Sequence, residues 1–223
     1  MTSPSLRQLS LLEARVLGVL VEKQRAVPDT YPLTLNALVA GCNQKSSRDP
    51  VLNASEAEVQ LAIEELRSLS LVVESSGGRA MRYAHNFGRV LQIPSESVAL
   101  LAVLMLRGPQ TAGELRINCD RLQRFVDISA VEGFLNEMAE RSAGALVIEL
   151  PRQPGARENR WMHLLCGTPT PESIASGASR AQSRDDITSG ELAALKTNVA
   201  RLEDELTTLK AIVAKLCAEL GVS

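Results

Sequence analysis

The side chains best suited to nucleophilic or metal chemistry in this sequence are two histidines, His85 and His163, and four cysteines, Cys42, Cys119, Cys166 and Cys217. The cysteines lie far apart with no CxxC pair, and neither histidine belongs to a group of ligands at metal-binding spacing. Neither a zinc site nor a disulfide framework is therefore expected. Gly77-Gly78 reads as a hairpin turn, since no GxxxxGK[ST] or GxGxxG pattern joins a strand to a helix. The expectation is a protein that is not an enzyme, with reduced thiols, no metal and no cofactor.

Cations in turns offer a different chemistry. The segment CNQKSSRDP places Asn43, Lys45 and Arg48 between two helical patterns. Arg79 and Arg82 flank the hairpin turn, Arg116, Arg121 and Arg124 surround a later turn, and Arg152, Arg157 and Arg160 lie in a longer loop. Phosphate contacts commonly arise from such positions, which makes these residues candidates for touching double-stranded DNA. CNQKSSRDP also has a purely structural reading, with Asn43 and Asp49-Pro50 as turn formers and Ser46 and Ser47 bonding locally. That reading leaves Lys45 and Arg48 without a role.

Composition limits the idea. The net charge is −2 with a pI near 5.8, so attraction to a polyanion must come from a local basic face. Aromatic residues make up 3% of the chain, too few for single-strand recognition by stacking. The start, MTSPSLRQLS, lacks the apolar core of a signal peptide, and the longest apolar run, residues 98–106, is too short to span a bilayer. A soluble, cytoplasmic protein without membrane contact is expected.

The elements that would position these cations are legible from periodicity. Ser10-Leu11-Leu12-Glu13 is a capping box opening a helix that carries Leu12, Val16, Val19 and Leu20. Leu35, Leu38 and Val39 mark a short second helix ending near Gly41. A second capping box, Ser55 to Glu58, opens a third helix with Val59, Ala62, Ile63, Leu66 and Leu69 on one face. Residues 71–74 and 81–84 read as a hairpin. The same order then returns: a helix over 95–106, one capped by Thr111 to Glu114, one capped by Ser129 to Glu132, and strands at 145–150 and 161–165. An internal repeat of this kind predicts a mainly α fold with small β wings, as two tandem winged helix-turn-helix domains over 8–90 and 91–167.

Residues 168–190 are rich in Thr, Pro, Ser, Ala and Gly and read as a flexible linker. Beyond it, Leu192, Leu195, Val199, Leu202, Leu206, Leu209, Val213, Leu216 and Leu220 alternate spacings of three and four. That is a coiled-coil seam over 191–221, and it predicts a homodimer.

Two functions fit these expectations. The first is a dimeric, DNA-associated transcriptional regulator that contacts phosphate with turn and wing cations. The second is a protein-interaction scaffold. The third helices favour it, because they carry Glu56, Glu58, Glu64 and Glu65 in one copy and Glu132, Glu137 and Glu140 in the other, and carboxylates oppose insertion between phosphate walls.

Three separated stretches, YPLTLNALVAGCNQKSSRDPV, GPQTAGELR and PRQPGARENRWMHLLCG, resemble the YceH family of bacterial proteins over roughly residues 8–167. The resemblance implies tandem winged-helix domains and supplies no catalytic residue. It also implies that the segment around residues 42–51 and the segment 157–163 are family hallmarks. The linker and heptads lie outside it.

Overall fold

Ser10 Oγ accepts the Glu13 amide at 3.2 Å while the Glu13 carboxylate accepts the Ser10 amide at 2.7 Å. This reciprocal cap opens helix α1 (Leu11–Ala26) in a computed structural model of the chain. The structure describes residues 7–76 and 80–168. Arg79, all but the first residue of the linker and the heptad segment 191–221 lie outside the described residues.

Residues 13–21 of α1 are all buried, and so are residues 97–106 of α5 (Ser95–Arg107). A helix buried on every side must be covered on every side, and each of these two helices covers the other. They approach closely because α1 carries Gly18, where a Cβ would lie 2.9 Å from Leu106 Cγ and 3.4 Å from the Ala102 carbonyl oxygen. The remaining side of α1 receives α2 (Leu35–Cys42) and α3 (Glu56–Ser68). Gly41 permits the α2 contact, since a Cβ there would sit 2.6 Å from Val19 Cγ1. Helix α3 starts at the expected Ser55–Glu58 capping box and buries Val59, Ala62, Ile63 and Leu66.

An antiparallel hairpin of β1 (Val72–Ser76) and β2 (Met81–His85) closes the first copy, with Val72 opposite His85 and Ser76 opposite Met81. A short helix, α4 (Phe87–Leu91), leads into α5 and has no counterpart in the sequence reading. The second copy continues with α6 (Ala112–Cys119), α7 (Ile128–Ala139), and strands β3 (Val147–Glu149) and β4 (Trp161–His163), paired antiparallel. Both strands are shorter than their sequence signals. The repeat extends to detail: the residue before the second-helix N-cap bridges the second hairpin strand in each copy, Leu33 to Tyr83 and Gln110 to Trp161. Helix α7 departs from expectation at its start. Asp127 Oδ1 accepts the Ala130 amide at 2.8 Å and caps the helix, so Ser129 falls inside the first turn.

The buried apolar residues of both copies form one cluster, from Leu9 to Leu165. Its ends are tied where the Leu9 amide donates to the Leu165 carbonyl at 2.8 Å.

Candidate nucleic-acid interface

The loop after α2 begins where that helix leaves its last carbonyls without amide partners. Two guanidinium groups take them. Arg48 Nε donates to the Gly41 carbonyl at 3.1 Å, and Arg15, fully buried in α1, donates to the Cys42 carbonyl at 3.0 Å and the Pro50 carbonyl at 2.6 Å. Cations at a helix C-terminus also complement its dipole. Arg48 is 2% exposed and grips Glu22 of α1, Nη2 to Oε2 at 2.6 Å and Nη1 to Oε1 at 3.1 Å. Burial alone would raise the Glu22 carboxyl, but the hydrogen bonds and charge of Arg48, with Lys23 beside it, hold it below its ordinary value. Burial, reinforced by Arg48, pulls the Arg15 guanidinium below its usual range.

Asn43 fastens the loop at its far end. Its amide donates to the Ala54 carbonyl at 2.8 Å and accepts the Ala54 amide at 2.7 Å. The loop also reaches the second copy, where the Asp49 amide donates to the Leu106 carbonyl and Arg107 donates to Ser47 Oγ, each at 2.8 Å. The expectation that Arg48 and Asn43 face phosphate is therefore corrected. Both are internal braces, and of the loop's two cations only Lys45 is exposed.

The other cations divide into held and free. Arg82 donates to the Pro32 carbonyl at 2.8 Å and is half-buried. Arg160 pairs with Glu114 at 3.6 Å, and Arg116 donates to the Val126 carbonyl at 3.1 Å from an exposed position. Arg121, Arg124, Arg152 and Arg157 are exposed and have no hydrogen-bond or ion-pair partner among the described residues.

Contacts within the second copy bring the wing and the start of α7 to the start of α6. A Cβ on Gly113, at the start of α6, would lie 3.9 Å from both Ile128 Cδ1 at the start of α7 and Glu158 Oε2 on the wing. The Arg160–Glu114 pair and the Gln110–Trp161 bridge hold the wing against α6. Arg25 of α1 steadies the connection between α6 and α7 by donating to the Leu122 carbonyl at 3.3 Å. Sequence reasoning missed three apolar residues on this rim: Ile117, Val126 and Ile128 are 73%, 88% and 44% exposed. A visible signal was an apolar residue immediately outside a helix cap.

Among the described residues, Cys42, Cys119 and His163 are buried, while Cys166 and His85 are half-buried. Burial pushes the Cys42 thiol up to about 11 and the Cys119 thiol to about 12. His163 is 8% exposed, and burial lowers it to about 4. His85 is lowered to about 4 by burial and by Arg25, with Nε2 2.7 Å from Gln24 Oε1. Among the described residues, no group of three His, Cys, Asp or Glu side chains could hold a metal ion. Nor is any described helix long and apolar enough to cross a membrane.

Helices followed by a small antiparallel hairpin, twice in succession, are an architecture consistent with winged-helix-like domains. A match to the family described as "Protein of unknown function, DUF480" spans residues 9–156. A UPF0502 protein of Burkholderia orbicola is 57% identical over 221 residues, covering 99% of this chain and 93% of that protein. UPF0502 proteins of Dechloromonas aromatica and Leptothrix cholodnii are 56% and 55% identical, covering 95% and 97% of this chain and 97% of each relative. The chain belongs to the DUF480/UPF0502 family, in agreement with the resemblance to the YceH family. The 221-residue alignment with the Burkholderia orbicola protein extends into the heptad segment.

Proposed function

We propose that this is a non-enzymatic, DNA-associated regulator that contacts duplex phosphates through its second winged-helix copy. The observation carrying the reading is the set of exposed guanidinium groups without a partner among the described residues, Arg121 and Arg124 on the turn between α6 and α7 and Arg152 and Arg157 on the wing that packs at the start of α6. Exposed Glu132 and Glu137 on α7 and Glu140 at its C-cap oppose laying that helix along a groove. An approach by the wing and the turn before α7 keeps these carboxylates away from the phosphates. Dimerisation through the heptads at 191–221 would place two such surfaces on one duplex and raise effective concentration.

A second reading rests on α3. Leu61, 62% exposed, lies among exposed Glu58, Glu64 and Glu65, a surface suited to a basic, amphipathic protein segment.

Fluorescence anisotropy with a random-sequence duplex at about 50 and 200 mM salt tests the first reading. Salt-sensitive binding that is lost in Arg121→Ala/Arg124→Ala/Arg152→Ala/Arg157→Ala supports it. Absence of binding at low salt rejects it in favour of the α3 surface.

A further inference from the structure

The start of α7 exposes apolar carbon in a way the fold itself does not require. Phe125 is buried and packs edge-on against Phe134, with ring centroids 6.0 Å apart, and Asp127 caps the helix. Val126 is fixed between these two anchors and turned outward. An apolar residue just outside a helix cap commonly staples to the fourth helical residue. Here that residue, Val131, is fully buried while Val126 is 88% exposed, so no staple forms. Ile128, the first residue of the helix, is exposed beside it, and Arg116 anchors the Val126 carbonyl from α6.

The first copy has nothing comparable. There Ala54 precedes the cap and Glu56 begins the helix.

Between Val126 and Ile128 the Asp127 carboxylate is turned to the Ala130 amide, and with Arg116, Arg121 and Arg124 outnumbering Asp120 and Asp127 around it, this apolar tip is complementary to a surface that offers methyl groups between phosphates. In duplex DNA that surface is the major groove at thymine, whose C5-methyl is the apolar group read by aliphatic side chains. Resting on the DNA reading above, we infer that Val126 and Ile128 contact thymine methyl groups, giving the second copy a preference for thymine-containing sites while its arginines hold the phosphates. Aliphatic contact of this kind does not need the acidic flank of α7 to enter the groove.

The test uses the full chain and two duplexes, an alternating A·T sequence and the same sequence with deoxyuridine in place of thymidine, which removes only the methyl. The expected result is tighter binding to the thymine duplex by about fourfold per buried methyl. In Val126→Ala/Ile128→Ala the two duplexes should bind alike, with salt-dependent binding retained. Both positions are solvent-exposed, and an unchanged thermal melt shows that the variant is folded. Equal wild-type affinity for the two duplexes overturns the inference and leaves the phosphate contacts standing. Discrimination that survives the double substitution assigns methyl recognition elsewhere and also overturns it. No binding to either duplex rejects the inference together with the reading beneath it.

Discussion

Arg48 and Glu22 meet through two hydrogen bonds of 2.6 and 3.1 Å, joining the loop after α2 to α1 in a site where Arg48 is 2% exposed. The geometry explains a cation in a polar loop without recourse to a ligand. Arg48→Met should leave the Gly41 carbonyl without its donor and Glu22 with Lys23 alone, at 3.1 Å, and cost about 2 to 4 kcal/mol in urea unfolding, somewhat less than a fully enclosed pair because Glu22 keeps Lys23 and some solvent contact. Lys45→Ala, three residues away and exposed, should change stability by less than about 0.5 kcal/mol.

The crossing of α1 and α5 depends on the missing side chain at Gly18. Gly18→Val places carbon against Leu106 and the Ala102 carbonyl, and should cost about 1 to 3 kcal/mol with a lowered Tm. Calorimetry should show both copies melting together, because they share one core.

Stability should fall on acidification between about pH 6.5 and pH 4. His163 takes up a proton near its ordinary value of 6.5 when unfolded but only near about 4 when folded, so the unfolded state binds more protons in that window. His85 acts in the same direction. Each contributes of order 2 to 3 kcal/mol at the acid end. Below that range protonation of Glu22, whose carboxyl is held down by Arg48, removes a further contribution present above the ordinary carboxylate range. A His163→Phe variant should show a shallower decline of Tm with falling pH.

The heptads make a separate prediction. Leu202→Asp with Leu209→Asp puts charge into the seam and should convert a dimer to a monomer by light scattering. An unchanged mass would place the dimer interface elsewhere.

The capping boxes at Ser10, Ser55 and Thr111 were legible because each couples two residue types at fixed spacing, and the structure forms all three. The cap of α7 was misplaced by two residues because Asp127 and Ser129 are both competent caps, and only the geometry chooses between them. Periodicity gave α1 one apolar face, whereas α5 buries the rest. That contact lies about eighty residues away in the chain and leaves no local trace. Arg48 and Lys45 look alike in sequence. Their fates differ because the carbonyls of Gly41 and Ser47 and the carboxylate of Glu22 surround only the first.

The most direct test of the central claim is amide hydrogen exchange of the full chain with and without saturating duplex DNA. New protection is expected in residues 112–129 and 150–160, with residues 43–50 unchanged. Protection centred on residues 43–50 and α3, with the second copy unaffected, would contradict it.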